Sequence, residues 1–271
     1  MYDLNIDGYI ISTVETIQKE TKFADIDNKY NIPIQRGVGQ GDSMSPSSFL
    51  IIMEHIVREF ASKLRKEKIK CFQMNGNDTG VIAFADDTCL IGESEEDAQK
   101  MLVLFEIIVK KHGLVLHPMK TELMCLDEVK IKSLDGIKIK QVQQFTYLGA
   151  QVSFSNQEYK EVLVRKKKMW SAYHLYKNEW KRLKDKDKRR LTVQILFLIA
   201  TYGAQAWQLL KNTPKQLQST INHIWKCLNN NDINTSKLPS VEDKILKLKL
   251  RFMGHQIWKK DGLAKRMVEG I

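Results

Sequence analysis

Apolar residues at Phe49, Ile52, Met53, Ile56, Val57, Phe60 and Leu64 recur at helical spacing. Ser45-Pro46 just ahead of them reads as an N-cap followed by proline at the first helical position. A second amphipathic helix opens at Ser94. Ala98, Met101, Leu102, Phe105, Ile108 and Val109 form its apolar face. Glu95, Glu96 and Asp97 suit the positive end of its dipole, and Gly113 reads as its C-terminal stop. Residues 81–85 and 88–92 are short apolar runs separated by Asp86-Asp87, the pattern of a tight hairpin. Asp135-Gly136 between residues 129–132 and 137–139 predicts a second hairpin.

From about residue 156 strand signals fade, and the chain becomes helical and rich in Lys, Leu and Trp. Residues 191–200 read as a buried helix, and residues 229–239 as a polar loop. The expected division is therefore residues 1–155, containing sheet, and residues 156–271, mostly helical. The fold class is α+β.

Composition narrows the classes of function. A chain of 271 residues, 43% hydrophobic and 28% charged, has enough apolar surface to bury a proper core. No apolar run reaches the roughly 18 residues that cross a bilayer, so no membrane partner is expected. The N-terminus has neither a basic start nor an apolar segment, which predicts a protein that is not secreted. Cys71, Cys89, Cys125 and Cys227 are scattered, as in a nuclear or cytoplasmic protein with reduced thiols. The net charge is +11, and residues 159–190 hold 13 Lys and Arg against 4 Asp and Glu. Such a block fits a phosphate backbone, and it equally fits a solvated helix surface.

Two features bear chemistry. Phe84-Ala85-Asp86-Asp87 sets two carboxylates at a hairpin tip. They suit a hard divalent cation such as Mg2+, or they are the solvated acids of an ordinary turn. Arg36-Gly37-Val38-Gly39-Gln40-Gly41-Asp42 runs into the first long helix. Its glycines allow close backbone approach by a ligand, or simply a turn and cap.

Taken in order, the pattern resembles reverse transcriptases of non-LTR (LINE-type, RTE-like) retrotransposons. Gly37-Val38, Gln40-Gly41-Asp42 and Ser45-Pro46 match the family's motif B, and Phe84-Ala85-Asp86-Asp87 matches motif C. Gly113-Leu114 with Lys120-Thr121 matches motif D, and Phe145-Thr146-Tyr147-Leu148-Gly149 matches motif E. Tyr202-Gly203-Ala204-Gln205-Ala206-Trp207 is similar to the family's Tyr-Gly-x-Glu-x-Trp. Leu238-Pro239-Ser240-Val241-Glu242-Asp243 and Leu250-Arg251-Phe252-Met253-Gly254-His255 resemble a segment near the end of RTE-like elements.

The resemblance implies a partial polymerase palm, an antiparallel sheet with helices, followed by a helical thumb and a C-terminal helical extension. It implies that Asp86 and Asp87 bind Mg2+ or Mn2+, and that Gln40, Gly41 and Lys120 face the nucleotide and template. Tyr147, Leu148 and Gly149 would form the primer grip. The implied partners are RNA template, DNA primer and deoxynucleoside triphosphates. Residues 159–190 would be the thumb, where Trp170, Tyr173, Tyr176 and Trp180 either stack on the nucleic acid or face the core. Gly39 stands where the family has Arg, Ser43 where it has Pro, His117 where it has Asn, and Gln205 where it has Glu. The family's motif A supplies a further metal-binding Asp well ahead of motif B. Only 36 residues precede Gly37, and Asp3 and Asp7 come before a helical pattern rather than in a strand. The expectation is a reverse transcriptase domain that lacks an N-terminal polymerase segment and is inactive alone. The alternative is a non-catalytic remnant that binds RNA or RNA–DNA duplex.

Overall fold

A computed structural model describes residues 6–20, 22–24, 31–33, 37, 41–74, 77–155, 157–207, 212–229 and 238–258. The chain divides into Met1–Val142 and Gln143–Ile271. The division lies ahead of the expected residue 155. The hairpin at 144–153 packs on the first helix of the second unit and so belongs with the helical part.

In the first unit, α1 (Gly8–Glu20) opens where the Asp7 carboxylate accepts the Tyr9 N–H at 2.8 Å, and it buries Ile11 and Val14. Strands β1 (Lys22–Ala24) and β2 (Asn31–Pro33) pair antiparallel. Helix α2 (Ser45–Lys66) buries Met53, Ile56, Phe60 and Leu64, four of the residues that predicted it. Its start differs from expectation. Ser45 is already helical and the N-cap position falls on Met44, which makes no side-chain capping bond; just ahead of it the Asp42 carboxylate accepts the Met44 N–H at 3.2 Å and the Ser45 hydroxyl at 3.3 Å. A short acceptor three residues ahead of Ser45 can fold back on these donors, so the helix starts one residue early.

Helix α3 (Glu95–Lys111) starts and stops as predicted. The Ser94 hydroxyl accepts the Asp97 N–H at 3.1 Å. At the other end Gly113 takes a φ of +77 and donates to Lys110 C=O, while Leu114 donates to Val109 C=O. These two bonds satisfy carbonyls that a helix end otherwise leaves open. Phe60 of α2 meets Phe105 of α3 edge-to-face at 5.3 Å within the shared core.

The described sheets are small. Strands β3 (Gln73–Met74) and β4 (Asn77–Asp78) pair, as do β5 (Val81–Phe84) and β6 (Asp87–Leu90). Strand β7 (Glu122–Leu123) runs parallel to β8 (Lys140–Gln141). The Asp135-Gly136 hairpin is present, with Gly136 at φ +78 and Ile131 and Ile139 buried against Leu102. Its outer edge is paired by side chains of α3. Gln99 exchanges two 2.8 Å bonds with the Lys132 backbone, Glu95 accepts the Lys130 N–H at 2.8 Å, and buried Glu106 accepts the Leu134 N–H at 2.7 Å. The expected antiparallel palm sheet is therefore replaced, among the described residues, by two-stranded pairs, one of them parallel. At the 129–139 hairpin, helix side chains rather than a further strand take up the open edge.

In the second unit, β9 (Gln144–Tyr147) and β10 (Ala150–Ser153) lead into α4 (Gln157–Lys181) and α5 (Asp185–Leu191). The helix expected at 191–200 is present, but with a π-helical segment at Thr192–Leu196 before α6 (Phe197–Thr201). Helices α7 (Thr213–Leu228) and α8 (Val241–Trp258) complete the unit. Met169, Trp180, Leu196, Phe197, Leu217 and Ile224 sit in its core. Of the polar loop expected at 229–239, residues 230–237 lie outside the described residues.

Gly92 closes the base of the β5–β6 hairpin against α3. A Cβ there would lie 2.9 Å from the Ala98 backbone nitrogen, which the helix cannot easily move. Gly92→Ala is expected to lower stability by about 1–3 kcal/mol in urea unfolding. Gly8→Ala, where an added Cβ meets nothing within 4 Å, serves as the control. A Gly92→Ala variant as stable as the control would contradict this packing.

Candidate functional site

Strand pairing decides how the two aspartates are presented. Phe84 pairs with Asp87, so the turn residues are Ala85 and Asp86, not the expected Asp86-Asp87. The shift follows from Ala85, which takes the left-handed region at φ +52 and closes the turn one residue early. Asp86 thus stands in the turn and Asp87 at the first position of β6. Both are exposed, and no hydrogen bond or ion pair to either occurs among the described residues. The hairpin is anchored below by Val81 and Leu90, which pack on the α2–α3 core. Above, Ile82 and Phe84 fall on one face by strand periodicity and stay 42% and 64% exposed.

The other expected first-unit residues do not converge on this tip through any described bond. Gln40 lies outside the described residues. Gly41 is exposed at φ +92, directly ahead of Asp42. Lys120 ends a single 3-10 turn, Pro118–Lys120, with its side chain in solvent.

In the second unit, Tyr147 pairs with Ala150, leaving Leu148 and Gly149 as a two-residue turn at φ +48 and +76. The tip is held from two sides. The Tyr202 hydroxyl donates to Leu148 C=O at 2.8 Å, and Arg165 Nη2 donates to Gly149 C=O at 2.8 Å. Arg165 Nε also donates to Glu161 Oε1 at 2.5 Å, and its guanidinium carbon lies 4.8 Å from the Tyr202 ring centre. Glu161 Oε2 accepts the Gln151 N–H of β10 at 2.7 Å. Arg165 and Glu161 are 2% and 3% exposed, so this is a buried, fully engaged ion pair. Sequence reading counted both only as charges in the basic block. Their spacing of four, in line with the buried positions Val162 and Met169, was the available signal.

The two C-terminal motifs meet. Gly203 at φ +73 turns the chain out of α6 into the 3-10 turn Ala204–Ala206, against which α8 packs, and Lys249 Nζ donates to Trp207 C=O. Most aromatics of the basic block face inward. Trp180 and Tyr173 are buried, and Trp170 packs edge-on against Tyr173 and His223. Tyr176 alone of the four is exposed. Lys167, Lys168, Lys177 and Lys181 of α4 are exposed, and all four lack a described carboxylate partner.

One further cluster, His55, Glu59 and His112, groups potential metal-ligand atoms within 4.8 Å of one another. Its carboxylate is already engaged. Glu59 meets His112 Nε2 at 2.8 Å and Lys111 Nζ at 2.9 Å, tying α2 to the end of α3. These contacts, His112 first, hold the Glu59 carboxyl at about 2 against an ordinary 4.5, in spite of burial, which pushes it up.

Comparison with known proteins gives the family. The profile of the family "Reverse transcriptase (RNA-dependent DNA polymerase)" matches residues 5–152, a span holding the Ala85-Asp86 turn and the Leu148-Gly149 turn. An uncharacterized transposon-derived protein of Caenorhabditis elegans is 27% identical over 155 residues, 55% of this chain and 56% of its own length. The Pol polyprotein of the type-1 retrotransposable element R2 of Nasonia vitripennis is 33% identical over 101 residues, 36% of this chain and 9% of its own. The chain therefore spans about half of the first relative and a small part of the second. It belongs to the reverse transcriptase family. Both relatives are named as products of transposable elements.

The Glu59 contacts set a pH dependence. Folding favours the ionised carboxylate, so its contribution is complete above pH 4.5 and is lost as pH falls toward 2. Glu59→Gln is expected to cost about 1–2 kcal/mol at pH 7. The gap to the unsubstituted protein should close on acidification in urea titrations. A gap independent of pH would contradict the assignment.

Proposed function

We propose that this chain contributes the motif B to E part of an RNA-templated DNA polymerase. The observation that carries the reading is the β5–β6 tip. It holds two adjacent exposed carboxylates with no described cationic partner, inside the span that matches the family. Carboxylate oxygens without a lysine or arginine nearby are the donor set a hard divalent cation prefers. Asp86 and Asp87 would hold Mg2+ or Mn2+. Such ions, when bound, polarise the triphosphate and stabilise the oxygens exchanged in the transfer. Asp86 and Asp87 themselves would orient that cation. Gln40 and Gly41 would lie against the nucleotide and template base, and Lys120 would offset charge on the leaving pyrophosphate. Tyr147, Leu148 and Gly149 would hold the primer end.

The exposed lysines of α4 favour a role in holding the duplex. Each neutralised phosphate releases counterions, which makes affinity salt-dependent. The same lysines support the second reading, a module that binds RNA or RNA–DNA duplex without chemistry. On either reading, Met1–Val142 would correspond to palm, and Gln143–Ile271 to the primer-grip hairpin, thumb and extension.

Two-metal transfer requires carboxylates from a second strand, and Asp86 and Asp87 supply only one tip. Primer extension on an RNA template is expected to be absent with the 271-residue chain alone. It should appear when a segment bearing motif A is added, and vanish with Asp86→Asn. Extension that survives Asp86→Asn overturns the catalytic assignment, and duplex binding without extension under every condition leaves the binding module. In fluorescence titrations over a salt series, log affinity should fall steeply with log salt. Lys167→Ala and Lys181→Ala should each lessen that slope by about 1. Affinity indifferent to salt would remove both readings.

A further inference from the structure

The Leu148-Gly149 turn is built in a way that its own sequence does not favour. A two-residue hairpin with left-handed φ at both positions takes Asn-Gly or Gly-Gly readily. Leucine at φ +48 is strained, and such strain persists only where the surroundings over-determine the backbone. Here they do. The carbonyl of Leu148 accepts from Tyr202, 54 residues away in sequence, and the carbonyl of Gly149 accepts from buried Arg165. Gly149 also packs beside the Tyr202 ring, where an added Cβ would be in van der Waals contact with a ring carbon at 3.4 Å. Arg165 is itself fixed by Glu161, which holds the neighbouring strand at Gln151 N–H.

We infer that Tyr202 and Arg165 are positioning residues for the primer strand: together they clamp the 148–149 turn from behind and hold the Leu148 side chain out at its tip. This rests on the primer-grip reading of residues 147–149. It assigns a physical task to the tyrosine of the Tyr202–Trp207 segment and to a buried arginine otherwise counted as thumb charge. Both donors act on backbone carbonyls, so neither needs to touch nucleic acid. Tyr202 makes the direct tie to the strained residue, and Arg165 couples that tie to α4. The register of the turn is thereby linked to the helix whose exposed lysines face solvent.

The test uses the full chain with an RNA–DNA duplex carrying 4-thiothymidine at the primer 3′ end. Irradiation is followed by peptide mapping of the cross-link, with affinity for the same duplex and thermal stability measured in parallel. The unsubstituted protein is expected to cross-link within residues 147–149. Tyr202→Phe keeps the ring and removes only the hydroxyl. It should lower the cross-link there roughly five- to tenfold, the effect of one lost hydrogen bond, with duplex affinity changed by less than about twofold. Arg165→Lys should act in the same direction. Tyr202→Phe guards against a folding artefact in the arginine variant, because its half-exposed side chain does not support the core. Absence of a 147–149 cross-link in the unsubstituted protein removes the primer-grip reading, and the inference falls with it. A normal cross-link in that protein, unchanged in both variants, overturns the inference alone.

Discussion

Short hairpins with open edges are the constraint on which the described structure depends. Each described sheet has two strands, so each strand keeps an edge whose N–H and C=O groups need partners. At two hairpins polar side chains from an adjacent helix supply them. In the first unit Glu95, Gln99 and Glu106 of α3 bond the backbone at 130–134. In the second, Glu161 and Arg165 of α4 bond the backbone at 149–151. Helix packing and strand conformation are thereby coupled without a wide sheet.

The two units use this device with different stakes. The α3 contacts lie mainly at the surface, and only Glu106 is buried. In the second unit the Glu161–Arg165 pair is nearly sealed from water. Removing one partner of a buried pair costs about 3–5 kcal/mol, because the other charge is stranded. Each of the two side chains also bonds backbone, so the loss would reach the hairpin tip as well as α4.

Backbone strain is concentrated at the two tips that carry the proposed function. Among the described residues the non-glycine residues with positive φ are Lys68, Ala85 and Leu148. Lys68 follows the end of α2, an ordinary place for a left-handed residue. Ala85 and Leu148 instead occupy first turn positions in β5–β6 and β9–β10. At the first tip the strain brings Asp86 into the turn and leaves Asp87 on the strand. At the second it is met by bonds from Tyr202 and Arg165. Strain of this kind, about 1–3 kcal/mol per residue, is tolerated where geometry at a tip matters more than local stability.

Local rules sufficed for much of this protein. Helical spacing from Phe49 to Leu64 and from Ala98 to Val109 predicts α2 and α3. The Ser94 cap and the Gly113 stop are right because a capping bond spans only a few residues. The Asp135-Gly136 turn is legible for the same reason. The order of the four polymerase motifs carried the family, since side-chain chemistry at fixed spacing survives in sequence. Tertiary structure alone decided where the β5–β6 turn closes, because register depends on pairing across strands and not on which residues are acidic. It also decided which aromatics of the basic block are buried, and that Glu161 and Arg165 turn inward to meet a hairpin. A charged residue looks the same in sequence whether it faces solvent or a backbone carbonyl. Only the packing that removes water makes its partner matter.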